Sequence, residues 1–263
     1  MPRITRQSYH LSGGRKGIKL KDLKIDFHIH SKEDPHDFLR NDACKIIDMM
    51  AARGFDAIAI TNHNRFTWSE RLRDYAGERG VILIRGVERT IKRRHVLLIN
   101  FPGETGDYRT LDDVEGAKRE DNLVIAAHPY FPMPTASGTL LDSRPEVFDA
   151  LEYCHYYVKN LNFNNRAVSR ALEMGKPLIG NSDAHVTRQI GRTYSIVKAE
   201  KNPEAIIRAI KEGRVKVISR PYRAAQLLRI SSVISIRNFH GRMKCLIKNG
   251  KYGYRGDVDT LPD

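Results

Sequence analysis

The chain alternates short apolar runs with segments in which apolar residues recur at helical spacing. We predict strands at eight apolar runs: 24–30, 56–63, 80–88, 95–101, 122–129, 149–155, 176–185 and 193–199. Helical spacing predicts helices over 41–53, 67–79, 110–120, 160–174 and 203–212. Four of these five helices are followed directly by glycine, the usual residue just past a helix. Residues 130–145, with three prolines, predict a long loop.

The order of these elements predicts the fold class. Several strands are continuous runs of Ile, Val, Leu and Ala, which is typical of parallel strands buried on both faces. Strands that alternate with helices favour an α/β fold, either a barrel or an open doubly wound sheet. A chain of 263 residues, 41% of them hydrophobic, is long enough for one domain of barrel size.

The positive charge is concentrated at the two ends of the chain. The net charge is +14; residues 1–24 carry +6 and residues 214–263 carry +8, so the middle is balanced. We therefore predict a basic N-terminal extension (1–23), a barrel domain (24–220) and a basic C-terminal extension (221–263) packed on or beside the barrel. Such ends fit either a solubilising surface or a platform that holds single-stranded nucleic acid through its phosphates.

The composition also limits the cellular location. No run reaches the roughly 18 apolar residues of a membrane span, and the first residues lack the apolar segment of a signal peptide. The cysteines Cys44, Cys154 and Cys245 are far apart in the sequence, which argues against a disulfide framework and favours a reducing compartment. We predict a cytoplasmic protein without membrane contact; the sequence leaves the oligomeric state open.

Polar ligand-type residues close most of the predicted strands. In "DFHIHS" (26–31), strand alternation would put Asp26, His28 and His30 on one face. Further strands begin or end at a similar set: His63, Glu88, His95, His128, Asp183 and His185. In a barrel the carboxyl ends of the strands converge on one mouth. Imidazole and carboxylate groups suit Zn, Mn or Fe, and so many ligands predict two to three ions with bridging carboxylates.

The motifs "DFHIHS", "TNHN", "GVE", "HVLLIN", "AHP" and "NSDAH", in this order, resemble those of the PHP family, named for polymerase and histidinol phosphatase. The resemblance covers about residues 24–220. It implies a distorted (β/α)7 barrel with a two- or three-metal centre at its C-terminal mouth, and hydrolysis of phosphate esters. The metal ligands that it implies are His28, His30, His36, His63, Glu88, His95, His128, Asp183 and His185.

Two positions in the motif set leave questions. The ligand that follows the paired histidines by five or six positions is assigned to His36, with Asp34 and Asp37 as alternatives, because spacing does not fix the register of a loop. The family's "TDH" is "TNH" here. Because that aspartate resembles a residue supporting the next histidine, we expect Asn62 to orient His63 less strongly without removing a ligand.

Several residues are candidates for catalysis and substrate binding. Asp183 and His185 are the first catalytic candidates. His155, at the end of a predicted strand, is expected to contact substrate or protonate a leaving group, or else to be a polar residue of the rim. Arg192 is the first candidate for binding phosphate through its guanidinium, with an ordinary surface arginine as the alternative. Arg166 and Lys32 are weaker candidates.

These observations predict a metal-dependent phosphoesterase in which a metal-activated hydroxide attacks a phosphate ester at the barrel mouth. The basic ends favour a nucleotide or oligonucleotide substrate. One alternative is a phosphatase for a small metabolite, such as a histidinol-phosphate-like ester. The other is a non-enzymatic module of the same fold that binds nucleic acid or a protein partner.

Overall fold

The structure, a computed structural model, describes residues 20–249, with side chains up to residue 243. Of the predicted basic extensions 1–23 and 221–263, residues 1–19 and 250–263 lie outside the described residues. The strands are β1 (Lys21–Ile29), β2 (Ala57–Ile60), β3 (Ile82–Ile91), β4 (Arg94–Ile99), β5 (Leu123–Ala126), β6 (Ala150–Tyr153), β7 (Leu178–Gly180), β8 (Thr193–Ala199) and β9 (Val215–Ser219). The α-helices are α1 (Ala43–Ala52), α2 (Glu70–Glu78), α3 (Leu111–Gly116), α4 (Gly138–Ser143), α5 (Asn164–Glu173), α6 (Pro203–Lys211) and α7 (Ala224–Asn249).

One sheet of mixed strand directions curls into a nearly closed barrel. Its order is β7-β6-β5-β4-β3-β2-β1-β8-β9. The pairs β1–β2, β2–β3, β5–β6 and β6–β7 are parallel, and the other four neighbouring pairs are antiparallel. β7, at one end of this order, lies beside β8 and β9 at the other end, and its Gly180 amide donates to Ser195 Oγ of β8 at 2.8 Å. A Cβ at Gly180 would lie 2.8 Å from Val217 Cγ1, so only glycine fits between these strands.

The expected α/β barrel is confirmed, with nine strands in the described residues instead of seven. All eight predicted strands and all five predicted helices are present; most are shorter than predicted, β8 has the predicted bounds, and β1 and β3 are longer. The structure adds α4 inside the predicted loop 130–145, and β9 and α7 in the C-terminal part of the chain. β9 escaped the sequence analysis because Lys216 interrupts its short apolar pattern, and α7 because its apolar residues keep no regular helical period.

The core has an inner layer and two outer layers. The inner cluster collects residues from strands all around the sheet, among them Phe27, Leu97 and Ile125, and includes Ile206 and Ile210 of α6. Each such fully buried side chain stabilises the fold by about 1.5–3 kcal/mol. One outer cluster packs α1 and α2 on the sheet, and the other packs α3, α4 and α5.

Helix ends follow local sequence rules. Asp42 begins α1 by accepting a hydrogen bond from the Lys45 amide at 2.8 Å. Asn202 does the same for α6, whose first residue is a proline. Gly213, just past α6, has a φ of +76°, a conformation that costs glycine little. These ends fix where each helix returns the chain to the sheet.

A β-bulge in β1 changes the expected alternation. Asp26 pairs with Ile58, but Ile29 pairs with Ile60, so β1 has one extra residue over this stretch. Phe27 packs in the inner cluster, whereas Ile29 packs with the outer helices. The expected regular alternation is therefore interrupted at the bulge, although His28 and His30 still lie beside the same two carboxylates, Glu88 and Asp183. The bulge re-aims the strand end so that histidines, and not the isoleucine, are directed to the mouth.

Helix α7 lies beside the barrel mouth and contacts the segments that form it. Asn238 Oδ1 accepts a hydrogen bond from the Phe38 amide at 3.0 Å, and Asn238 Nδ2 donates to Asp37 Oδ1. Arg237 donates to the carbonyl oxygen of His185 at 3.0 Å. Within residues 20–249, neither α7 nor any other helix has the combined length and apolarity of a membrane span.

Candidate metal centre

Backbone pairing at the strand ends assembles the site. Beyond β1, Ile29 pairs with Ala184, and the amide of His30 donates to the Ala184 carbonyl at 3.2 Å. Beyond β2, His63 pairs with Glu88. These contacts put "HIH" beside "SDAH" and "TNH" beside "GVE", although each pair of motifs is separated by 25 or more residues in sequence. The convergence follows from the barrel, in which the carboxyl ends of strands share one mouth.

Glu88 lies at the centre of the cluster. It is buried and within 3.4 Å of a ring nitrogen of each of five histidines: His28 (3.3 Å), His30 (3.4 Å), His63 (3.1 Å), His95 (2.7 Å) and His128 (3.3 Å). Asp183 Oδ1 lies 3.3–3.4 Å from nitrogens of His28, His30 and His185. One glutamate and one aspartate thus face six imidazoles across a small space.

These distances fit metal ions better than direct hydrogen bonds. Two ligand atoms at 2.0–2.1 Å from one tetrahedral ion are about 3.3 Å apart, and most of the nitrogen–oxygen distances around Glu88 and Asp183 are 3.3–3.4 Å. The Nε2 atoms of His28 and His30 are buried and have no hydrogen-bond partner. Three groups of possible ligands lie within 4.8 Å: His28, His30, Asp183; His30, Asp34, His63; and His63, Glu88, His95.

A buried carboxylate beneath the cluster fixes the orientation of His28. Glu152 of β6 accepts a hydrogen bond from His28 Nδ1 at 2.9 Å, which leaves Nε2 free to face Glu88 and Asp183. Glu152 also accepts from the amide of His128 at 2.8 Å and from Asn181 Nδ2 at 2.9 Å. A carboxylate on the second nitrogen is the usual support of a ligating histidine. Glu152 was not among the predicted site residues, although a lone glutamate in the apolar run of β6 was a usable signal.

Asp34 supports two further histidines. Its Oδ2 lies 2.9 Å from Nδ1 of both His30 and His63 and accepts the His63 amide, also at 2.9 Å. Asp37 Oδ2 lies 3.0 Å from His185 Nε2. His36 lies at the exposed rim, with its ring stacked on that of His63 at 5.2 Å. All three candidates for the ninth ligand therefore border the cluster, and Asp34 is the one grouped with two histidines.

Asn62 has a role in the loops behind the site. Its Oδ1 accepts the Ser31 amide at 2.8 Å, and its Nδ2 donates to Ser31 Oγ at 2.8 Å and Thr67 Oγ1 at 2.7 Å. The side chain is buried and fully hydrogen-bonded. His63 takes its ring support from Asp34, so the asparagine in "TNH" joins two segments and leaves the histidine ring to another residue.

The electrostatics show that the cluster requires positive charge. Burial lowers the pKa of His28, yet the carboxylates of Glu152, Asp183 and Glu88 raise it, and the net result is well above the usual range. Burial raises the pKa of Glu88, but the surrounding histidines His95, His28 and His63 pull it well below its ordinary value. Buried carboxylates therefore stay ionised, and either protons on imidazoles or metal ions must balance them.

Two of the residues at the mouth have unusual backbone conformations. His128 has a φ of +32° and Asp183 a φ of +43°, both in the region that favours glycine. The Glu152 carboxylate holds the His128 amide, and the backbone of Ala184 is bonded to that of His28 and His30. Such conformations persist where the surroundings enforce them, and they are concentrated at functional sites.

His155 is buried outside the carboxylate cluster. Gln189 Nε2 donates to His155 Nε2 at 2.9 Å, while Gln189 Oε1 accepts the amides of His185 and Val186, both at 2.8 Å. Burial lowers the pKa of His155 to about 4, so it is neutral at physiological pH. In this arrangement it supports the loop that carries Asp183 and His185, and its expected contact with substrate or a leaving group stays a prediction.

The candidate phosphate-binding cations lie around the mouth and not within the cluster. The Arg192 guanidinium stacks on Tyr222 at 4.1 Å and donates to Gln226 of α7 at 3.1 Å. Arg166 is exposed on α5, stacks on Tyr130 and lies 3.4 Å from Asp142. Lys32 is exposed next to the histidine pair. Arg192 and Arg166 thus make these contacts with residues outside the histidines and carboxylates of the cluster.

Comparison with known protein families supports the resemblance drawn from the motifs. The model of the family described as PHP-associated matches residues 162–215, which include α5, β7, Asp183, His185 and α6. No curated protein matches the chain in sequence.

Solved structures share the fold. A two-domain protein from Bacteroides vulgatus, described as containing a predicted PHP-like metal-dependent phosphoesterase, superposes with a TM-score of 0.61 at 21% identity, over 83% of this chain and 73% of that one. PsfC from Pseudomonas syringae superposes with a TM-score of 0.56 at 16% identity, over 83% of this chain and 98% of that one. The lesion-specific endonuclease PfuEndoQ from Pyrococcus furiosus superposes with a TM-score of 0.51 at 17% identity, over 80% of this chain and 66% of that one. The resemblance to the PHP family is thus confirmed, by fold over most of the chain and by sequence over residues 162–215.

Proposed function

We propose that this PHP-type barrel is a hydrolase that cleaves a phosphate ester with the help of two to three divalent transition-metal ions. The observation that carries the proposal is the cluster around Glu88, where five buried or nearly buried histidines point a ring nitrogen at one carboxylate. Stability does not explain such a cluster, because burying charged groups costs free energy. A metal-dependent activity does explain it.

The chain's own residues would have distinct tasks. Glu88 and Asp183, each facing several histidines, would bridge or share ions, with Zn, Mn and Fe the metals that suit this nitrogen and oxygen set. Metal ions held there supply Lewis acidity and a water of lowered pKa. Glu152, Asp34 and Asp37 would keep the imidazoles in orientation through hydrogen bonds of 2.9–3.0 Å.

A nucleotide or oligonucleotide is the favoured substrate class. One structural neighbour is named an endonuclease and another a phosphoesterase, so phosphate esters of both kinds fit the shared fold. Basic residues from the C-terminal part of the chain, Arg229 and Arg237, border the mouth. A small-metabolite phosphatase is the second candidate, because the metal cluster alone does not discriminate between esters.

The test is hydrolysis of p-nitrophenyl phosphate and of its bis-ester by metal-free protein with and without added Mn²⁺. We expect turnover only with metal; a faster monoester indicates a phosphatase and a faster diester a nuclease. Failure to hydrolyse either ester or a short single strand, with Mn²⁺, Zn²⁺ or Fe²⁺ present, would overturn the proposal.

Asp183→Ala provides the matched residue test. We expect the hydrolysis rate to fall by more than about 100-fold. Substituting a residue that only supports a metal ligand already lowers metal affinity or activity about 10–100-fold. The fold should persist because the side chain lies at the mouth and not in the core. Asp112→Ala, an exposed aspartate of α3, is the control and should keep the wild-type rate. Near-normal turnover by Asp183→Ala at saturating metal would show that this strand end is not part of the active site.

A further inference from the structure

A large cleft lies next to the candidate metal centre. It lies between α7 and the segments 38–41 and 184–190, has a volume of about 950 Å³, and is called the α7 cleft below. His30 and His185 of the metal cluster form part of its wall. A group bound at the metal centre would therefore extend directly into the α7 cleft.

The walls of the α7 cleft combine positive charge with apolar surface. Four arginines line it: Arg40, Arg188, Arg229 and Arg237. Among the described residues, no aspartate or glutamate lines it. Ile46, Ile190 and Ile230 add apolar surface. Val233 and Ile236 of α7 also line it and are 45% and 56% exposed, which is unusual for such side chains on a wall of a cavity.

This lining selects a class of ligand. Arginines on a wall that contains no aspartate or glutamate favour anionic groups, above all phosphates, which match the guanidinium fork. Arg237 differs from the other three, since Asp37 lies near it and it donates to the His185 carbonyl. Exposed apolar side chains favour a flat, weakly polar group such as a nucleobase. A volume of about 950 Å³ is near the upper end for small-molecule sites, so a compact metabolite phosphate would fill only part of it.

We propose that the α7 cleft binds the part of the substrate on one side of the scissile phosphate, and that this part is a nucleotide chain with at least one further phosphate. This inference rests on the proposed function, whose metal centre adjoins the cleft. It assigns nucleic-acid contact to a folded wall built from residues 40, 188, 229 and 237. Two of these arginines, Arg229 and Arg237, belong to the predicted C-terminal extension, and segments 1–19 and 250–263 are not required for the inference.

The test is a double substitution in the α7 cleft, Arg188→Gln with Arg229→Gln. Both arginines are exposed wall residues, and neither belongs to the metal cluster. The control is Arg71→Gln with Arg208→Gln, two exposed helix arginines of equal charge that line no part of the cleft. The readout is kcat/KM for a 5′-phosphorylated dinucleotide and for a hexanucleotide, each divided by kcat/KM for p-nitrophenyl phosphate.

We expect both ratios to fall roughly tenfold or more in the cleft variant, because each lost hydrogen bond between an arginine and a phosphate weakens substrate binding. They should change less than about twofold in the control. The salt dependence for the hexanucleotide should also become shallower, by about 0.7 in the log–log slope for each lost phosphate contact. Val233→Asp, which adds a negative charge to the same wall, should lower the same ratios.

Comparing the two substrates shows whether the α7 cleft binds a nucleic-acid strand or only one further nucleotide. A hexanucleotide preferred tenfold over the dinucleotide indicates a strand-binding site, whereas equal values indicate that one further nucleotide fills the cleft. Ratios that do not change in either cleft variant would overturn the inference.

Binding of a fluorescent hexanucleotide to metal-free protein separates this inference from the proposed function. Weaker binding by the cleft variant, together with absence of hydrolysis in the wild type, would reject the function and retain the binding site. Normal hydrolysis of p-nitrophenyl phosphate, with binding and ratios unchanged in the variant, would reject the α7 cleft alone.

Discussion

Single carboxylates decide how the imidazoles at the barrel mouth are presented. Glu152 engages one nitrogen of His28 and Asp34 one nitrogen each of His30 and His63, at 2.9 Å. In each case the other nitrogen is directed at Glu88. This division of the two ring nitrogens is the arrangement that metal ligation by histidine requires.

Glu152→Gln should weaken metal binding. Glutamine can still accept the hydrogen bond from His28 Nδ1, but its NH2 group then faces the His128 amide, and it lacks the negative charge that makes the imidazole a stronger ligand. We expect the dissociation constant for Mn²⁺ to rise about 10–100-fold, measured by competition with a chelator. Glu120→Gln, at an exposed site, is the control. Equal constants for Glu152→Gln and wild type would show that His28 is not a ligand or does not depend on its partner.

His155 predicts a pH dependence of stability. Its pKa is lowered to about 4 by burial, against 6.5 in the unfolded chain. Between pH 6.5 and 4 the unfolded state therefore binds the extra proton, and stability falls as pH is lowered through this window. The shift corresponds to a loss on the order of 3 kcal/mol.

Urea unfolding of metal-free protein from pH 7 to 4 measures this effect. His155→Gln lacks the titrating group, so its unfolding free energy should fall less steeply with acid, by the equivalent of about one proton. Parallel pH profiles for the two proteins would contradict the buried neutral state of His155.

At the scale of elements, α7 is part of the site and not an appendage. Asn238 bonds to the amide of Phe38 and the carboxylate of Asp37, and Asp37 in turn lies 3.0 Å from His185. Gly241 lets the two elements meet closely, because a Cβ there would lie 2.0 Å from the Phe38 ring. The helix thereby holds the loop that contains all three candidates for the ninth ligand.

Asn238→Ala tests this coupling. The variant removes two hydrogen bonds between α7 and the loop, which together are worth roughly 1–3 kcal/mol. We expect about tenfold weaker Mn²⁺ binding and a lower hydrolysis rate at limiting metal. Ser232→Ala, exposed on the same helix, should match the wild type. If both variants behave like the wild type, α7 does not support the metal centre.

The elements also show what the sequence could and could not predict. The strand ends were predictable, because apolar runs that stop at His63, Glu88 or His128 are visible in one dimension. The bulge in β1 was not, since the extra residue appears only against the register of β2. The role of Glu152 could not be predicted either, because it is defined by the partners His28 and Asn181, which are 124 and 29 residues away in sequence.

At the scale of the whole molecule, the charge distribution changes meaning on folding. Along the sequence, the excess of positive charge lies at the two ends and the middle is balanced. Folding joins Arg40 and Arg188 from that middle with Arg229 and Arg237 of α7 in one cleft. Sums over sequence windows do not report such a site, because its members come from distant segments of the chain.

The central claim is that the mouth is a metal centre that hydrolyses phosphate esters. The most direct test is to strip the protein of metal, add Mn²⁺ in known equivalents, and follow the hydrolysis rate of p-nitrophenyl phosphate or its bis-ester. We predict no turnover without metal and a rise to a plateau at about two to three equivalents per chain, as the number of converging ligands requires. A rate that does not depend on Mn²⁺, or a plateau at one equivalent or less, would contradict the account.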